Sequence, residues 1–259
     1  MNLKKLINYI DSTENSRKLA ELWSDYVDWK GRRKGEDGFL LDQLGKYNVH
    51  KVLDVALGDG ADSIYLLQQG FNVSGNEIDD AFREKAIENA KKLGFSIEPT
   101  NLDWRNLSKS YSQNSLGSII CLGNSLTFLF GRENQAQSLK QFCSLLKPGG
   151  VLLIDERNYQ KILNEKNSYL SGSKHLTGRY LYTGKKIDAR WIEINDDFAI
   201  AQLIHKQTGN KAYSRVHPFR KGELMEILRE AGFKKIEQYG DYEPGENPDA
   251  DFYQYICIK

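Results

Sequence analysis

Residues 52–63 read VLDVALGDGADS. An apolar run stops at an acid, a second apolar pair follows, and a Gly-x-Gly then opens a polar segment. This is the pattern of a buried strand that hands the chain to a helix through a loop with room for a ligand. Outward from this stretch the alternation continues. Residues 51–57 (KVLDVAL) predict a first strand and 61–70 (ADSIYLLQQG) a helix stopped at Gly70. Residues 71–77 predict a second strand, 79–94 a helix ending at Gly94, 95–101 (FSIEPTN) a third strand and 116–124 (LGSIICLGN) a fourth. A helix over 132–150 closes on Pro-Gly-Gly, and 151–158 (VLLIDERN) predict a fifth strand. Strands apolar on both faces, alternating with helices, predict an α/β fold with a parallel sheet covered on both sides.

Two regions fall outside the alternation. Residues 1–50 read as helical: SRKLAELWSDYVDW places Leu19, Leu22, Trp23, Tyr26 and Val27 at helical spacing, and GFLLDQLGKY gives a second amphipathic helix. Residues 165–220 break the pattern, and 178–207 within them (GRYLYTGKKIDARWIEINDDFAIAQLIHKQ) alternate with period two and predict an antiparallel ribbon or small sheet, a lid over the core or an oligomer contact. A helix over 221–233 and strands over 234–242 and 251–259 then close the chain. The organisation expected is an N-terminal helical cap (1–50) and a core (51–259) carrying the antiparallel insertion (165–220).

The 36 Lys and Arg against 35 Asp and Glu leave no excess charge to mark a nucleic-acid footprint. A small zwitterionic substrate suits this balance better than a polyanion. Cys121, Cys143 and Cys257 are widely spaced, in apolar contexts and without CxxC pairs, as buried small hydrophobes are. With four histidines they show no metal spacing. No apolar run is long enough for a membrane span or a signal peptide, so a cytoplasmic location is expected.

The ligand follows from the loop. In an open α/β sheet it sits beyond the C-terminal strand ends. A dinucleotide needs a third glycine for close helix packing at the pyrophosphate. Here Ser63 holds that place, and Asp59 and Asp62 would repel a diphosphate. A ligand with positive charge and no phosphate fits better. The second strand ends at Glu77, an acid able to accept both hydroxyls of a ribose. Asp103-Trp104 then offers a carboxylate for an amino group and a ring face for a base. S-adenosylmethionine, with a ribose, a sulfonium and no phosphate, meets all three conditions; its product is S-adenosylhomocysteine.

The chain resembles the glycine N-methyltransferase and glycine/sarcosine N-methyltransferase group of class I methyltransferases. The resemblance runs from about residue 20 to the end and is carried by VLDVALGDGADSIYLLQQGFNV, ICLGNSLTFL, LLKPGGVLLIDERNYQKIL, the closing YGDY and DFYQYICIK, and the N-terminal LWSDYVDWKGRRK. It implies a Rossmann-like fold with a seven-stranded, mostly parallel sheet, a β-ribbon lid and N-terminal helices. It implies methylation of the amine of glycine or sarcosine, as in betaine synthesis. For the cofactor it implies Trp23, Tyr26, Arg32 or Arg33 (the register is open by one residue), Ala56, Gly58, Glu77, Asp103, Trp104 and Leu122. For catalysis and substrate binding it implies Asn124 and Arg157, with Arg157 gripping the amino-acid carboxylate. Two departures stand out: LGDG where the family has CGTG or TGTG, and Phe128 where it has histidine.

The residues themselves leave alternatives. Arg157 can instead pair with Asp155 or Glu156, Asn124 can be a turn residue, and Tyr159 can line the substrate site or pack in the core. Tyr180, Tyr182, Tyr213, Tyr239 and Tyr242 are candidates to cap the amine, and His217 before Pro218 reads as structural. Another small amine or carboxylate as acceptor, or a non-catalytic S-adenosylmethionine sensor, are the competing functions. The partner expected is a small amino acid, with no nucleic acid or membrane; a homo-oligomer stays open.

Overall fold

The computed structural model describes residues 2–176 and 180–259; residues 177–179 of the insertion lie outside it. Four helices come first: α1 (Leu3–Ile10), α2 (Thr13–Tyr26), α3 (Trp29–Glu36) and α4 (Phe39–Lys46). Each of the first three starts where a side chain caps the helix: Asn2, Ser12 and Asp28 accept from backbone N–H groups of the first turn. The core then runs β1 (Lys51–Asp54), α5 (Ala61–Gln68), β2 (Asn72–Gly75), α6 (Asp80–Lys92), β3 (Leu116–Cys121), α7 (Arg132–Leu145) and β4 (Leu146–Arg157). Short helices α8 (Tyr159–Asn164) and α9 (Lys166–Leu170) lead to the insertion strands β5 (Ile187–Ile194), β6 (Ala199–His205) and β7 (Lys211–Val216). Helix α10 (Glu223–Glu230) and strands β8 (Lys235–Gly240), β9 (Glu243–Pro244) and β10 (Phe252–Ile258) complete the chain.

The main sheet has seven strands in the order β2-β1-β3-β4-β10-β8-β9. Pairs β1–β2, β1–β3 and β3–β4 are parallel, and β10 runs antiparallel between β4 and β8. From β1 the chain crosses to β2 on one side and returns to β3 on the other, so the switch point lies between β1 and β3. Neighbouring strand residues feed opposite layers. Leu53, Ile119, Leu152 and Cys257 pack with Leu139 and Phe142 of α7 and Ile227 of α10. Val52, Ile120, Leu153 and Ile256 pack with Leu40 and Leu44 of α4 and Leu66 of α5. Burial on both faces explains the unbroken apolar runs of the sequence.

The insertion forms the expected antiparallel sheet, β5-β6-β7. Trp191, Ala201, Leu203 and Val216 on one of its faces pack with Leu19 and Leu22 of α2, and with Tyr159. The sheet therefore covers the C-terminal ends of β3 and β4 together with α2.

Residues 95–101 do not form the third strand the sequence predicts. Only Thr100 bridges to Asn76. Pro99 has no N–H to give a ladder. The buried Asn76 side chain substitutes for one: its Oδ1 accepts from Thr100 Oγ1 (2.7 Å) and Leu102 N–H (2.9 Å). The seventh strand is instead the short β9. The expected Pro-Gly-Gly helix end also differs: Lys147–Gly150 belong to β4.

Candidate active site

Beyond β1 the loop turns at Gly58 (φ +56°) and Gly60 (φ +87°), backbone conformations that disfavour a side chain. Gly60 serves packing as well: a Cβ there would lie 3.2 Å from Ala86 Cβ on α6. Glu77 fastens the loop to the end of β2, its Oε2 accepting from Gly58 N–H (2.8 Å) and its Oε1 from Asp79 N–H (3.0 Å). Burial pushes its pKa from 4.5 to about 7, against the pull of those two N–H groups. Each carboxylate oxygen keeps a second acceptor direction.

The two loop acids do not face the ligand space, which corrects the charge argument made from the sequence. Asp62 pairs with Arg33, lies 3.7 Å from Arg32, and is held below its ordinary pKa by both guanidiniums despite its burial. Asp59 is 4% exposed, accepts from Ala61 N–H at the start of α5, and is pushed up to about 6 by burial. Folding spends both acids on α3 and on the α5 N-terminus. The bar to a pyrophosphate rests on Ser63, whose hydroxyl donates to Asp54 (2.7 Å).

A cavity of about 360 Å³ opens over the loop, lined among others by Ala56, Gly58, Glu77, Trp104 and Trp23. It lies within the roughly 300–1,000 Å³ typical of small-molecule sites. Asp103 and Trp104 border an adjoining space of about 130 Å³ with Ile78 and Phe128. The Trp104 indole N–H is fixed to the Val55 carbonyl (2.6 Å), leaving its ring as a wall. Asp103 is engaged by Arg105 through Nε (2.8 Å) and Nη2 (2.5 Å).

A second cavity, of about 100 Å³, adjoins the first and shares Trp23, Gly123, Phe128 and Ser214 with it. Tyr26, Arg32, Asn124, Asp155, Arg157 and Tyr159 line it, under Trp191 and Val216 of the insertion sheet. Asn124 sits in the left-handed region (φ +65°) at the turn after β3. Its backbone N–H donates to Asp155 (2.6 Å), and its Oδ1 accepts from Arg157 N–H (2.9 Å). Its Nδ2 donates to Tyr159 Oη (2.7 Å) and Thr127 Oγ1 (3.0 Å). The Asn124 side chain is thus committed to holding β3, β4 and α8 in register. Tyr159 is buried and its hydroxyl is pushed up to about 12 by desolvation, so it stays protonated.

The two arginines of this cavity differ. Arg32 lies 3.7 Å from Asp62 and 3.6 Å from Asp155, close enough to sustain its charge but too far for hydrogen bonds. Arg157 has no carboxylate partner among the described residues; the alternative pairing with Asp155 or Glu156 does not form. Its guanidinium carbon lies 4.9 Å over the Phe252 ring, Nη2 reaches Tyr26 Oη only at 3.5 Å, and Nη1 is buried without a partner.

The structure brings together Trp23, Tyr26, Arg32, Ala56, Gly58, Glu77, Trp104, Asn124, Arg157 and Tyr159 around the two joined cavities, with Asp103 at the outer rim. It settles the α3 register: Arg32 lines the cavity, while Arg33 turns to Glu36 (2.5 Å), Asp62 and the Tyr65 ring. Leu122 stands behind the site, its side chain against the α4–α5 layer and its carbonyl accepting from Ser125 Oγ (2.7 Å). Of the candidate tyrosines, Tyr180, Tyr182 and Tyr242 line the smaller cavity, Tyr213 the larger, and Tyr239 neither. His217 pairs with Glu223 (3.2 Å) and its backbone N–H holds Thr127 O (2.7 Å), a structural placement. Sequence reasoning missed Asp155, Trp191 and Ile78. The inward phase of the β5 alternation marks Trp191, and Ile78 follows directly on Glu77. Among the described residues no metal-binding group occurs, and no helix is long and apolar enough to cross a membrane.

A strand order that reverses between β1 and β3, a Gly-x-Gly loop with Ser63 in place of the third glycine of a dinucleotide site, and an acid just beyond β2 are the features of a Rossmann-like class I methyltransferase, the class that uses S-adenosylmethionine. Residues 52–150 match the family model described as a methyltransferase domain. A solved S-adenosylmethionine-dependent methyltransferase from Clostridium acetobutylicum ATCC 824 superposes with a TM-score of 0.70 over 99% of each chain at 16% identity, a likeness of fold. The glycine/sarcosine N-methyltransferase of Halorhodospira halochloris is 33% identical over 93% of this chain and 87% of its own length. The glycine/sarcosine/dimethylglycine N-methyltransferase of Actinopolyspora halophila is 35% identical over 93% of this chain, which spans 41% of that longer protein. The chain belongs to the glycine/sarcosine N-methyltransferase family.

Proposed function

We propose that this protein transfers methyl groups from S-adenosylmethionine to the amines of glycine and sarcosine. The observation that carries this is Arg157: a cavity-lining guanidinium with a buried, unpartnered Nη1 and, among the described residues, no acid paired to it. Such a group suits a carboxylate held by two parallel N–H bonds. Arg32, loosely flanked by Asp62 and Asp155, is placed for a second carboxylate, that of the cofactor's methionyl end. Glu77 would take the ribose hydroxyls, Ala56 and Gly58 the loop contacts, and Trp104 with Asp103 the adenine.

The cofactor supplies a methyl already activated by its sulfonium, so no protein nucleophile is required. The chain's own part is to hold the amine in line with that methyl and to exclude water. Arg157 fixes one end of the acceptor. Asn124 and Tyr159 hold the Arg157 backbone, so the grip is rigid. Trp23, Trp191 and Val216 close the space around the amine. An alkyl amine has a pKa of about 10, and this aromatic enclosure favours its neutral form. Among the described residues lining the cavity the only carboxylate, Asp155, is engaged by the Asn124 N–H and faces Arg32, so proximity rather than a general base accounts for the rate. In this reading the N-terminal helices (1–50) and the insertion (165–220) act as covers over one catalytic core.

Purified protein with S-adenosylmethionine should add one methyl to sarcosine and one or two to glycine, read by mass spectrometry. Tight cofactor binding without transfer to either amino acid would sink the reading.

A further inference from the structure

We propose that Phe128 sets the acceptor preference of this site, favouring N-methylated amines over primary ones. This rests on the amino-acid N-methyltransferase reading above and adds the residue that grades its acceptors.

Among the described residues, Phe128 alone is common to the acceptor cavity, the cofactor cavity and the outer space beside Trp104. It therefore stands where cofactor and acceptor spaces meet. Its side chain is 43% exposed although it is apolar, so the ring looks into open space rather than into the core. Because that open space is three adjoining cavities, a ligand bound in them would meet the ring.

The mount is rigid. Thr127, fully buried, donates to Asn124 O (2.7 Å) and accepts from Asn124 Nδ2 (3.0 Å), while its own carbonyl accepts from His217 N–H (2.7 Å). One short turn thus carries both the ring of Phe128 and the Asn124 side chain that holds Arg157. With the carboxylate fixed at Arg157, the amine end has little freedom to avoid the ring.

A phenyl ring offers no hydrogen-bond partner. Each N–H turned toward it loses a bond it would have kept in water. Each N-methyl turned toward it gains apolar contact. With each methyl added the penalty falls and the gain rises. One buried methyl gives about fourfold in specificity, so sarcosine should exceed glycine in kcat/KM by at least that factor.

The test compares wild type, Phe128→Leu and Phe128→His with glycine and with sarcosine, and measures S-adenosylmethionine affinity of each by calorimetry. A surface-exposed ring is not needed for folding, and cofactor binding confirms that each variant is folded. The expected result is a sarcosine-to-glycine ratio above about 4 in wild type, within about twofold of that in the leucine variant, and reduced about fourfold or more by histidine. An unchanged ratio in Phe128→His, or an effect confined to cofactor affinity, overturns the proposal while leaving the function intact. Failure of wild type to methylate either amino acid overturns the underlying reading and this proposal with it.

Discussion

Replacing Arg157 by alanine separates acceptor binding from everything else in the site. The guanidinium makes no ion pair with a described residue, and its Tyr26 contact, at 3.5 Å, is weak. What the fold loses is mainly the stacking over Phe252, at 4.9 Å, about 1 kcal/mol or less. What the reaction loses is larger. Hydrogen bonds to charged groups contribute about 1.5–3 kcal/mol each, so a two-pronged grip on a carboxylate is worth about 3–6 kcal/mol. That converts to roughly 10²- to 10⁴-fold in kcat/KM for glycine. Because the grip also aims the amine, kcat should fall as KM rises. Lysine keeps the charge but not the fork, and should recover only part, with a deficit of about 10- to 100-fold. Initial rates with labelled methyl donor, alongside calorimetric cofactor affinity, give both numbers. An alanine variant with kcat/KM within threefold of wild type, or one that loses cofactor binding in parallel with activity, would refute the assignment.

Three further outcomes follow from other residues. Glu77→Gln should weaken S-adenosylmethionine binding about 10- to 100-fold, because Gly58 and Asp79 N–H groups hold that carboxylate and the proposed ribose contact needs its charge; calorimetry showing a change under threefold would remove Glu77 from the ribose site. Gly60→Ala should cost about 1–2 kcal/mol, since φ is +87° and the new Cβ would meet Ala86 at 3.2 Å; an unshifted urea midpoint would contradict the packing described. Burial holds Glu156 at about 8 against its ordinary 4.5, with Tyr255 donating to Oε1 (2.7 Å) as a partial offset. The folded state therefore binds this proton more tightly than the unfolded chain, and the stability it confers, complete below about pH 4.5, is lost as pH rises through about 8. Glu156→Gln should lose less stability than wild type between pH 5 and 8.5, and parallel pH profiles of the two would show that another group is responsible.

The strands and helices around 52–63 were legible because period and punctuation agree: an apolar run on both faces, then Gly-x-Gly, then a helix stopped at Gly70. The insertion strands were legible for the same reason, since their period of two has no helical alternative, whereas helix α9 (Lys166–Leu170), at the start of the insertion, is too short to show a period. Residues 95–101 misled because alternation records side-chain phase, whereas a strand also needs backbone donors. Pro99 lacks one, and the Asn76 side chain takes over the pairing. Asp59 and Asp62 misled in another way: a charge read from sequence has no address, and the fold spends one on Arg32 and Arg33 and the other on a helix start. The Arg32/Arg33 ambiguity had the same origin. Neighbours on a helix point about 100° apart, and only the packing of α3 decides which one meets the cavity. Arg157 was legible as a candidate from its place at a strand's C-terminal end; that it has no carboxylate partner among the described residues needed the surroundings of every nearby acid.

The central claim is that a carboxylate, held by Arg157, presents the amine to the methyl. Glycine and glycinamide have nearly the same shape and both carry the amine, but only glycine carries the charge. Side-by-side methyl transfer to the two, measured by mass spectrometry with wild-type protein, tests the claim without altering the protein. The account predicts transfer to glycine and a kcat/KM for glycinamide lower by about 100-fold or more. Equal transfer to both would contradict it and would mean that the pocket reads the amine alone.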